Sequence, residues 1–313
     1  MSGERVLITC RQMQNCIEDF LPALHEHEFE LVLPDVVQQL SEDELIAIIG
    51  GFDGMIAGDD PLSARVLEHA TRMRVISKWG IGIDGIDIQA AEALGITVVN
   101  TPGVFGGEVA DVALGYVVML ARQLHRIDAS VRAGGWFKHE GVSLADKVLG
   151  VAGLGNIGQA VARRGHGFEM RVVAYDVSDS ARDAGESLGI EMLDRDDVFR
   201  QSDFLVLCAP LTDGTRHMVG DHTLALMRAG SYVVNVGRGP LVDEPALARA
   251  LQSGHLAAAA LDVFEVEPLP EGSPLRAFEQ CVFGSHNSSN THEGVIRASA
   301  RAVANLIDGL GVG

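Results

Sequence analysis

Short apolar runs alternate with amphipathic stretches along the first hundred residues. The stretch SEDELIAIIGG (41–51) predicts a helix with Ser41 as its cap, Glu44 three residues later and two glycines at its end. A second helix is predicted over residues 15–27. Runs rich in β-branched residues predict strands at RVLITC (5–10), FELVLP (29–34), GMIAG (54–58), RVISKWG (74–80) and TVVN (97–100). This alternation predicts a parallel sheet with helices on both faces.

The rest of the chain opens on one long helical pattern, which runs from 108 to about 132. Its first half is apolar over most of the helix circumference, which favours burial on several sides and a subunit interface. A GGW turn follows at 134–136. Further strands are predicted at VLGVA (148–152), VVAYD (172–176), FLVLCAP (204–210), SYVVNVG (231–237), AAALDV (258–263) and CVFGS (281–285), before a last helix at 291–309. The fold class is therefore α/β, with two parallel-sheet units.

Composition narrows the classes of function. The 313 residues suggest two domains, and no apolar run reaches the roughly 18 residues of a membrane span. The start MSGERVLITC is charged and enters a strand directly, unlike a signal peptide. A net charge of −19 argues against nucleic acid or an anionic membrane as partner, but it leaves a small anionic substrate possible.

The cysteines and histidines point to no metal site. Cys10, Cys16, Cys208 and Cys281 form no C-x-x-C pair, which favours reduced thiols in a cytoplasmic protein. The histidines lack the spacing of zinc ligands.

A glycine-rich turn lies in the middle of the chain, in VLGVAGLGNIG (148–158). A lone G-x-G-x-x-G is weak evidence, but this one follows a strand, precedes a helix, and is followed by Asp176 at the end of the next strand. In a dinucleotide-binding unit the three glycines allow a tight turn, the approach of a pyrophosphate, and close packing of helix on strand. The carboxylate accepts hydrogen bonds from ribose hydroxyls and repels a 2′-phosphate, so NAD is the predicted cofactor. The predicted cofactor contacts here are Gly153, Gly155, Asn156, Ile157, Gly158 and Asp176.

Further motifs occur in order along the chain: KWGIGIDGIDI (78–88), NTPGV (100–104), APLTDGT (209–215), NVGRGPLVDEPAL (235–247), ALDVFEVEP (260–268) and GSHNSSNT (284–291). With these, almost the whole sequence resembles the D-isomer-specific 2-hydroxyacid dehydrogenases, notably members such as D-3-phosphoglycerate dehydrogenase. The resemblance implies an NAD-binding Rossmann domain (100–290) inserted into a flavodoxin-like substrate-binding domain (1–99 and 291–313).

The resemblance also implies roles for individual residues. The arginine of N-x-x-R-G is Arg238, the glutamate before proline after D-V-F is Glu267, and the histidine near the end is His286; these form the catalytic set. Glu265 fails the criterion of preceding proline. Pro210 and Asp262 match cofactor contacts, with Asp262 near the nicotinamide carboxamide.

A second group is implied to bind the substrate. The backbone amides of Gly80, Ile81 and Gly82 hold its carboxylate, with Arg238 as a further contact. Trp79 beside this loop either lines the pocket or packs in the core. Lys78 precedes the loop, and either reaches the far end of a substrate or lies on the surface.

The residue types suit the chemistry of a 2-hydroxy acid. Transfer of a hydride at C2 requires a proton to move at the attached oxygen, and histidine is the side chain that titrates near neutral pH. A glutamate beside it stabilises the imidazolium and fixes its tautomer. Arginine grips a carboxylate with two parallel hydrogen bonds and polarises the reacting carbonyl.

Two departures from the family bear on the site, the first on the restraint of the histidine backbone and on pocket polarity, the second on the choice of substrate. Ser285 stands where the family usually has proline before the histidine. Gly58, Asp59 and Asp60 stand where phosphoglycerate dehydrogenases of the animal type have an arginine, which leaves Lys78 to compensate. The first expectation is oxidation of 3-phosphoglycerate or the reverse reaction. The alternatives are reduction of glyoxylate or hydroxypyruvate, and a catalytically silent NAD-sensing corepressor. A homodimer through the long helix is expected.

Overall fold

The computed structural model describes residues 3–311, which form two compact units. One unit combines the chain up to Phe105 with the chain from Asn290 onwards, and the other is Gly106–Ser289. Each unit is built on its own parallel sheet, so the predicted fold class is confirmed.

The first unit contains a five-stranded sheet in the order β2-β1-β3-β4-β5. This is the flavodoxin-like order of doubly wound α/β folds. The strands are β1 (Arg5–Ile8), β2 (Glu30–Val32), β3 (Gly54–Ala57), β4 (Val75–Lys78) and β5 (Thr97–Val99). Its helices are α1 (Arg11–Gln14), α2 (Leu21–Glu26), α3 (Glu42–Ile48), α4 (Ala64–Leu67), α5 (Ile88–Ala93) and α13 (His292–Leu310), with short 3-10 helices at Ile17–Asp19 and Ile49–Gly51.

The second unit contains a seven-stranded sheet in the order β12-β11-β10-β9-β6-β7-β8, a Rossmann order with one added strand. Its strands are β6 (Val148–Ala152), β7 (Arg171–Tyr175), β8 (Glu191–Met192), β9 (Phe204–Leu207), β10 (Ser231–Asn235), β11 (Leu256–Leu261) and β12 (Val282–Phe283). Its helices are α6 (Gly106–Arg122), α7 (Leu124–Arg132), α8 (Asn156–Gly167), α9 (Asp179–Ser187), α10 (Arg195–Gln201), α11 (Asp221–Leu226) and α12 (Glu244–Gln252), with 3-10 helices at Gly239–Leu241 and Pro274–Ala277.

Helix α3 begins as its sequence predicts. The Ser41 hydroxyl accepts the Glu44 N–H, and the Glu44 carboxylate accepts the Ser41 N–H at 2.8 Å. Two N–H groups that have no partner inside the helix are thereby satisfied.

Two predicted helices are each interrupted. The pattern over 108–132 becomes α6 and α7 because Gln123 takes a left-handed conformation, with φ of +49°. The pattern over 15–27 becomes a 3-10 turn followed by α2, whose first turn contains Pro22. Proline lacks an N–H and so fits the first turn of a helix better than its interior.

The last helix packs on the first sheet. Ala302 accepts a hydrogen bond from the Ser77 hydroxyl at 2.9 Å, and the Asn305 amide donates to the Asn100 carbonyl at 2.9 Å. Gly309 lies so close to Val75 that a Cβ would overlap that side chain. The C-terminal segment therefore belongs to the same unit as the N-terminal hundred residues.

Candidate active site

The three glycines after β6 each meet a distinct steric demand. Gly153 has φ of +93°, and a Cβ there would overlap the backbone of Ala209. A Cβ on Gly158 would overlap the Gly153 carbonyl, so α8 packs against the turn only with glycine at that position. Gly155 caps α8 and has open space around it. The turn is therefore tight on one side and open on the side that a ligand would approach.

Asp176, directly after β7, faces this turn. Its Oδ2 accepts the Leu154 N–H at 2.6 Å and its Oδ1 accepts the Ser178 N–H at 2.8 Å. Each carboxylate oxygen has a further lone pair, so the group retains acceptor capacity for hydroxyls. Val177 beside it is 82% exposed.

A cavity of about 470 Å³ lies between the glycine turn and Asp176. Pro210 and Thr215 line its other side, after β9. A dinucleotide fits this donor set: the open N-terminus of α8 suits a pyrophosphate and Asp176 suits an unphosphorylated ribose. Asn156 and Ile157 form the first turn of α8, where Asn156 contacts Gly106 of α6.

Arg238 follows β10 in a turn that Asn235 holds. The Asn235 side chain accepts the Gly237 N–H at 3.1 Å and donates to the Arg238 carbonyl at 2.8 Å. Gly239 packs directly on the backbone of Phe264, where a Cβ would overlap the carbonyl. The residues of the N-x-x-R-G motif thus form a turn that places Arg238 next to the loop after β11.

Glu267 and His286 lie together in the loops after β11 and β12. The His286 Nδ1 is 2.8 Å from Glu267 Oε2, and the other oxygen of Glu267 accepts the Phe264 N–H at 2.9 Å. Both side chains are about one quarter exposed. Since β10, β11 and β12 are adjacent and parallel, their carboxyl ends bring Arg238, Glu267 and His286 to one edge of the sheet.

Asp262 is buried in the same loop. Its carboxylate accepts hydrogen bonds from the Tyr116 hydroxyl, from the Asn287 and Ser288 amides, and from the Ser288 hydroxyl. These contacts tie it to the protein, and its predicted contact with the nicotinamide carboxamide stays a prediction. Neither Tyr116 nor Ser288 is recognisable from the sequence as a partner of Asp262, because no local pattern relates them to it.

The predicted substrate loop lies in the first unit. The Gly80 N–H donates to the Thr101 hydroxyl at 2.9 Å, and the Ile81 carbonyl accepts from Asn100. Gly80 has φ of +119°, while Ile81 and Gly82 are half-buried. Trp79 is buried, with its ring N–H on the Ser299 hydroxyl at 3.0 Å and its ring against Phe105. Core packing therefore accounts for the Trp79 side chain, and its contact with substrate remains a prediction.

Lys78 does not lie on the surface, which corrects one of its two predicted placements. Its side chain is 8% exposed, and its ammonium donates to Asp59 Oδ1 at 3.1 Å and to the Trp79 carbonyl at 2.8 Å. Asp60 is also buried and accepts from the Thr9 hydroxyl and from the Leu40 and Gly58 N–H groups. Burial raises the pKa of Asp60 against these hydrogen bonds.

A second histidine–glutamate pair lies nearby in sequence. His217 Nε2 is 2.6 Å from Glu265 Oε1, so Glu265 has a partner of its own. Within residues 3–311 no group of three histidine, cysteine or acidic side chains is arranged to hold a metal ion. The four cysteines are free.

Comparison with known proteins identifies the family. The family model described as "D-isomer specific 2-hydroxyacid dehydrogenase, NAD binding domain" matches residues 114–288. A glyoxylate reductase of Korarchaeum cryptofilum is 37% identical over 92% of this chain and 88% of its own length. A D-3-phosphoglycerate dehydrogenase of Methanocaldococcus jannaschii is 37% identical over 83% of this chain but only 50% of its own length.

Solved structures agree with the fold. A D-lactate dehydrogenase of Aquifex aeolicus, crystallised with NAD and lactic acid, superposes with a TM-score of 0.84 at 25% identity, covering 96% of this chain and 93% of the other.

Among the described helices, none has the length and apolar character that a membrane crossing requires.

Proposed function

Because the chain belongs to the D-isomer-specific 2-hydroxyacid dehydrogenases and its cofactor is NAD, we propose that it reduces small unphosphorylated 2-keto acids. Glyoxylate and hydroxypyruvate are the proposed substrates, and the products are the corresponding 2-hydroxy acids. The broader activity, hydride transfer between nicotinamide and a 2-hydroxy or 2-keto acid, is that of the family.

The observation that carries the choice of substrate is the ion pair of Lys78. The ammonium is buried and already bound by Asp59 and by the Trp79 carbonyl. A substrate phosphate would have to displace Asp59 and would meet that carboxylate as a like charge. Gly58 offers no positive side chain at the end of β3. A short acid without phosphate avoids this repulsion.

The names of relatives support the same choice. The Korarchaeum relative, which matches along nearly its whole length, is a glyoxylate reductase. The phosphoglycerate dehydrogenase relative is matched over only half of its length. Its 37% identity nevertheless makes 3-phosphohydroxypyruvate the second candidate.

The chain's own residues supply binding and proton transfer in this proposal. NAD, when bound, supplies the hydride. The amides of the Gly80–Gly82 loop are proposed to bind the substrate carboxylate. The guanidinium of Arg238 is proposed to polarise the keto oxygen. Glu267, as a carboxylate, accepts a hydrogen bond from the Nδ1–H of His286. The Nε2 of the protonated ring is proposed to give its proton to the keto oxygen.

We further propose a cytoplasmic homodimer. The four free cysteines suit a reducing compartment. The segment from α7 onwards exposes apolar side chains, with Leu124 44%, Val131 47% and Trp136 79% exposed, and a second copy would cover them. Sedimentation equilibrium of the parent and of Trp136→Ser tests this, because a monomeric parent would contradict it.

The substrate proposal is tested by NADH consumption with glyoxylate, hydroxypyruvate and 3-phosphohydroxypyruvate. We expect kcat/KM for hydroxypyruvate to exceed that for its phosphorylated form by at least about tenfold, or about 1.4 kcal/mol. Asp59→Asn should narrow this ratio by freeing Lys78, whereas Glu92→Gln, an exposed carboxylate on α5, should leave it unchanged. A preference of the parent for the phosphorylated acid contradicts the proposal. NADH binding without turnover of any 2-keto acid would support the corepressor alternative.

A further inference from the structure

The backbone of His286 is held in an unusual conformation. Its φ is +53°, a left-handed value that residues other than glycine adopt rarely, and it follows Ser285 rather than proline. Such a conformation persists when the surrounding structure over-determines it. The contacts that hold this loop therefore also set where the imidazole points.

Those contacts converge on Asp262. The Asp262 carbonyl accepts the His286 N–H at 2.7 Å. Its Oδ2 accepts the Ser288 N–H at 3.0 Å and the Ser288 hydroxyl, and its Oδ1 is 3.4 Å from the Asn287 N–H. One buried residue thus binds three consecutive residues of the histidine loop.

A helix distant in sequence completes the arrangement. The Tyr116 hydroxyl of α6 donates to Asp262 Oδ1 at 3.1 Å. Burial and the neighbouring Asp262 charge raise the pKa of Tyr116 far above its ordinary range, so it stays a hydrogen-bond donor at any working pH. Gly284 passes so close that a Cβ would overlap both Asp262 Oδ1 and the Tyr116 hydroxyl.

We infer that Tyr116 and Ser288 are positioning residues, which act through Asp262 to keep the Nδ1 of His286 on Glu267. The charge of buried Asp262 is held here by neutral donors, so each one contributes strongly. Loss of either hydroxyl loosens the carboxylate and with it the loop. The inference rests on the proposed role of His286 in proton transfer.

The consequence for His286 is a choice of tautomer. While Glu267 is ionised it can only accept a hydrogen bond, so a neutral His286 ring carries its proton on Nδ1. A loop that moves weakens this preference, and part of the population then carries the proton on Nε2. That form cannot accept a proton at Nε2 in the oxidation direction, because its Nε2 already carries one.

The test compares Ser288→Ala, Tyr116→Phe and the double variant with the parent. Each substitution removes one oxygen atom and little else. Ser289→Ala is the matched control. It removes a hydroxyl from the same loop, and that hydroxyl is not among the partners of Asp262 described above. The first measurement is the ¹⁵N chemical shifts of the His286 ring in the NAD⁺ complex, assigned with His286→Gln, which give the fraction of the Nδ1–H tautomer.

We expect the parent and Ser289→Ala to hold almost all of the neutral ring as Nδ1–H, and the double variant to lose a large part of it. With NAD⁺ and the 2-hydroxy acid that corresponds to the best 2-keto acid, the kcat of oxidation should fall by about 10- to 100-fold, while the Kd for NADH stays within about twofold. Unchanged tautomers in the double variant, or an equal effect of Ser289→Ala, would overturn the inference. A lower unfolding temperature with an unchanged tautomer fraction would also overturn it.

The ring measurement needs no substrate, so the two proposals fail separately. If the double variant loses the Nδ1–H tautomer but the parent turns over no 2-keto acid, the proposed function is contradicted and the positioning role still holds. If the double variant keeps both its turnover and its tautomer fraction, only the positioning role is contradicted.

Discussion

The imidazole of His286 and the carboxylate of Glu267 form a hydrogen bond of 2.8 Å between loops that follow adjacent strands. Glu267 is itself fixed by the Phe264 N–H on its other oxygen. A carboxylate restrained in this way fixes the orientation of the ring, as proton transfer at a defined nitrogen requires.

His286→Ala should therefore lower kcat by about 10²–10⁴, the usual range for a general acid–base group, with NADH affinity nearly unchanged. Glu267→Gln should cause a smaller loss, because the amide keeps an acceptor but not the charge. Steady-state kinetics with fluorescence titration of NADH measure both. Glu265→Gln removes the carboxylate of the neighbouring pair with His217 and is the control. If Glu265→Gln were as damaging as Glu267→Gln, the assignment of the acidic partner would be wrong.

Asp176 should enforce NADH over NADPH. A 2′-phosphate would meet its carboxylate as a like charge, and the ribose hydrogen bond would be lost. We expect kcat/KM for NADH to exceed kcat/KM for NADPH by at least about tenfold, and we expect Asp176→Ala to lower this ratio. Asp179→Asn, which removes a charge at the start of α9, should leave it in place. Equal use of NADPH and NADH by the parent would contradict the role of Asp176.

Local patterns in the sequence were sufficient for the parts of the site that are held by local geometry. Gly153 and Gly158 mark positions where a side chain would overlap the backbone, and Ser41 with Glu44 caps α3. The sequence marks Gly153 through its place in the glycine motif, although the residue that it would overlap, Ala209, is distant in sequence. The constraints on Gly158 and Ser41 involve residues a few positions apart. The same is true of Asn235, which holds the turn around Arg238.

Contacts distant in sequence could not be predicted in this way. Tyr116 meets Asp262 across 146 positions, and nothing near either residue marks the other. The left-handed Gln123 that splits the long helix carries no glycine or proline signal. The direction of the Lys78 side chain depended on the position of Asp59, which lies on the neighbouring strand end.

Asp53 should make the folded protein sensitive to acid. Although burial raises its pKa, hydrogen bonds from the Arg5 N–H and the Arg72 guanidinium outweigh burial, and the net pKa is lowered. A lowered pKa in the folded state stabilises the protein above the unfolded pKa of 3.8, and this contribution is lost as the pH falls through the folded value.

Urea unfolding between about pH 6 and 3 measures this effect. The free energy of unfolding of Asp53→Asn should be lower than that of the parent at pH 6 and should fall less steeply towards pH 3. Glu68→Gln, an exposed carboxylate after α4, should follow the parent. A parallel pH dependence of Asp53→Asn and parent would show that Asp53 does not contribute.

The ion pair of Lys78 with Asp59 should matter for every substrate, not for phosphorylated ones alone. Lys78 also donates to the Trp79 carbonyl, which directly precedes the Gly80–Gly82 loop, so its loss disturbs the loop proposed to bind the common carboxylate. Lys78→Met should raise the KM of glyoxylate, hydroxypyruvate and 3-phosphohydroxypyruvate alike. It should lower the free energy of unfolding by about 1–3 kcal/mol, less than for a fully buried pair because the Asp59 side chain is 43% exposed. A double-mutant cycle with Asp59→Asn should give a coupling of about 1 kcal/mol in urea unfolding. A rise in KM confined to the phosphorylated acid would instead mean that Lys78 binds phosphate, and would restore 3-phosphohydroxypyruvate as the substrate.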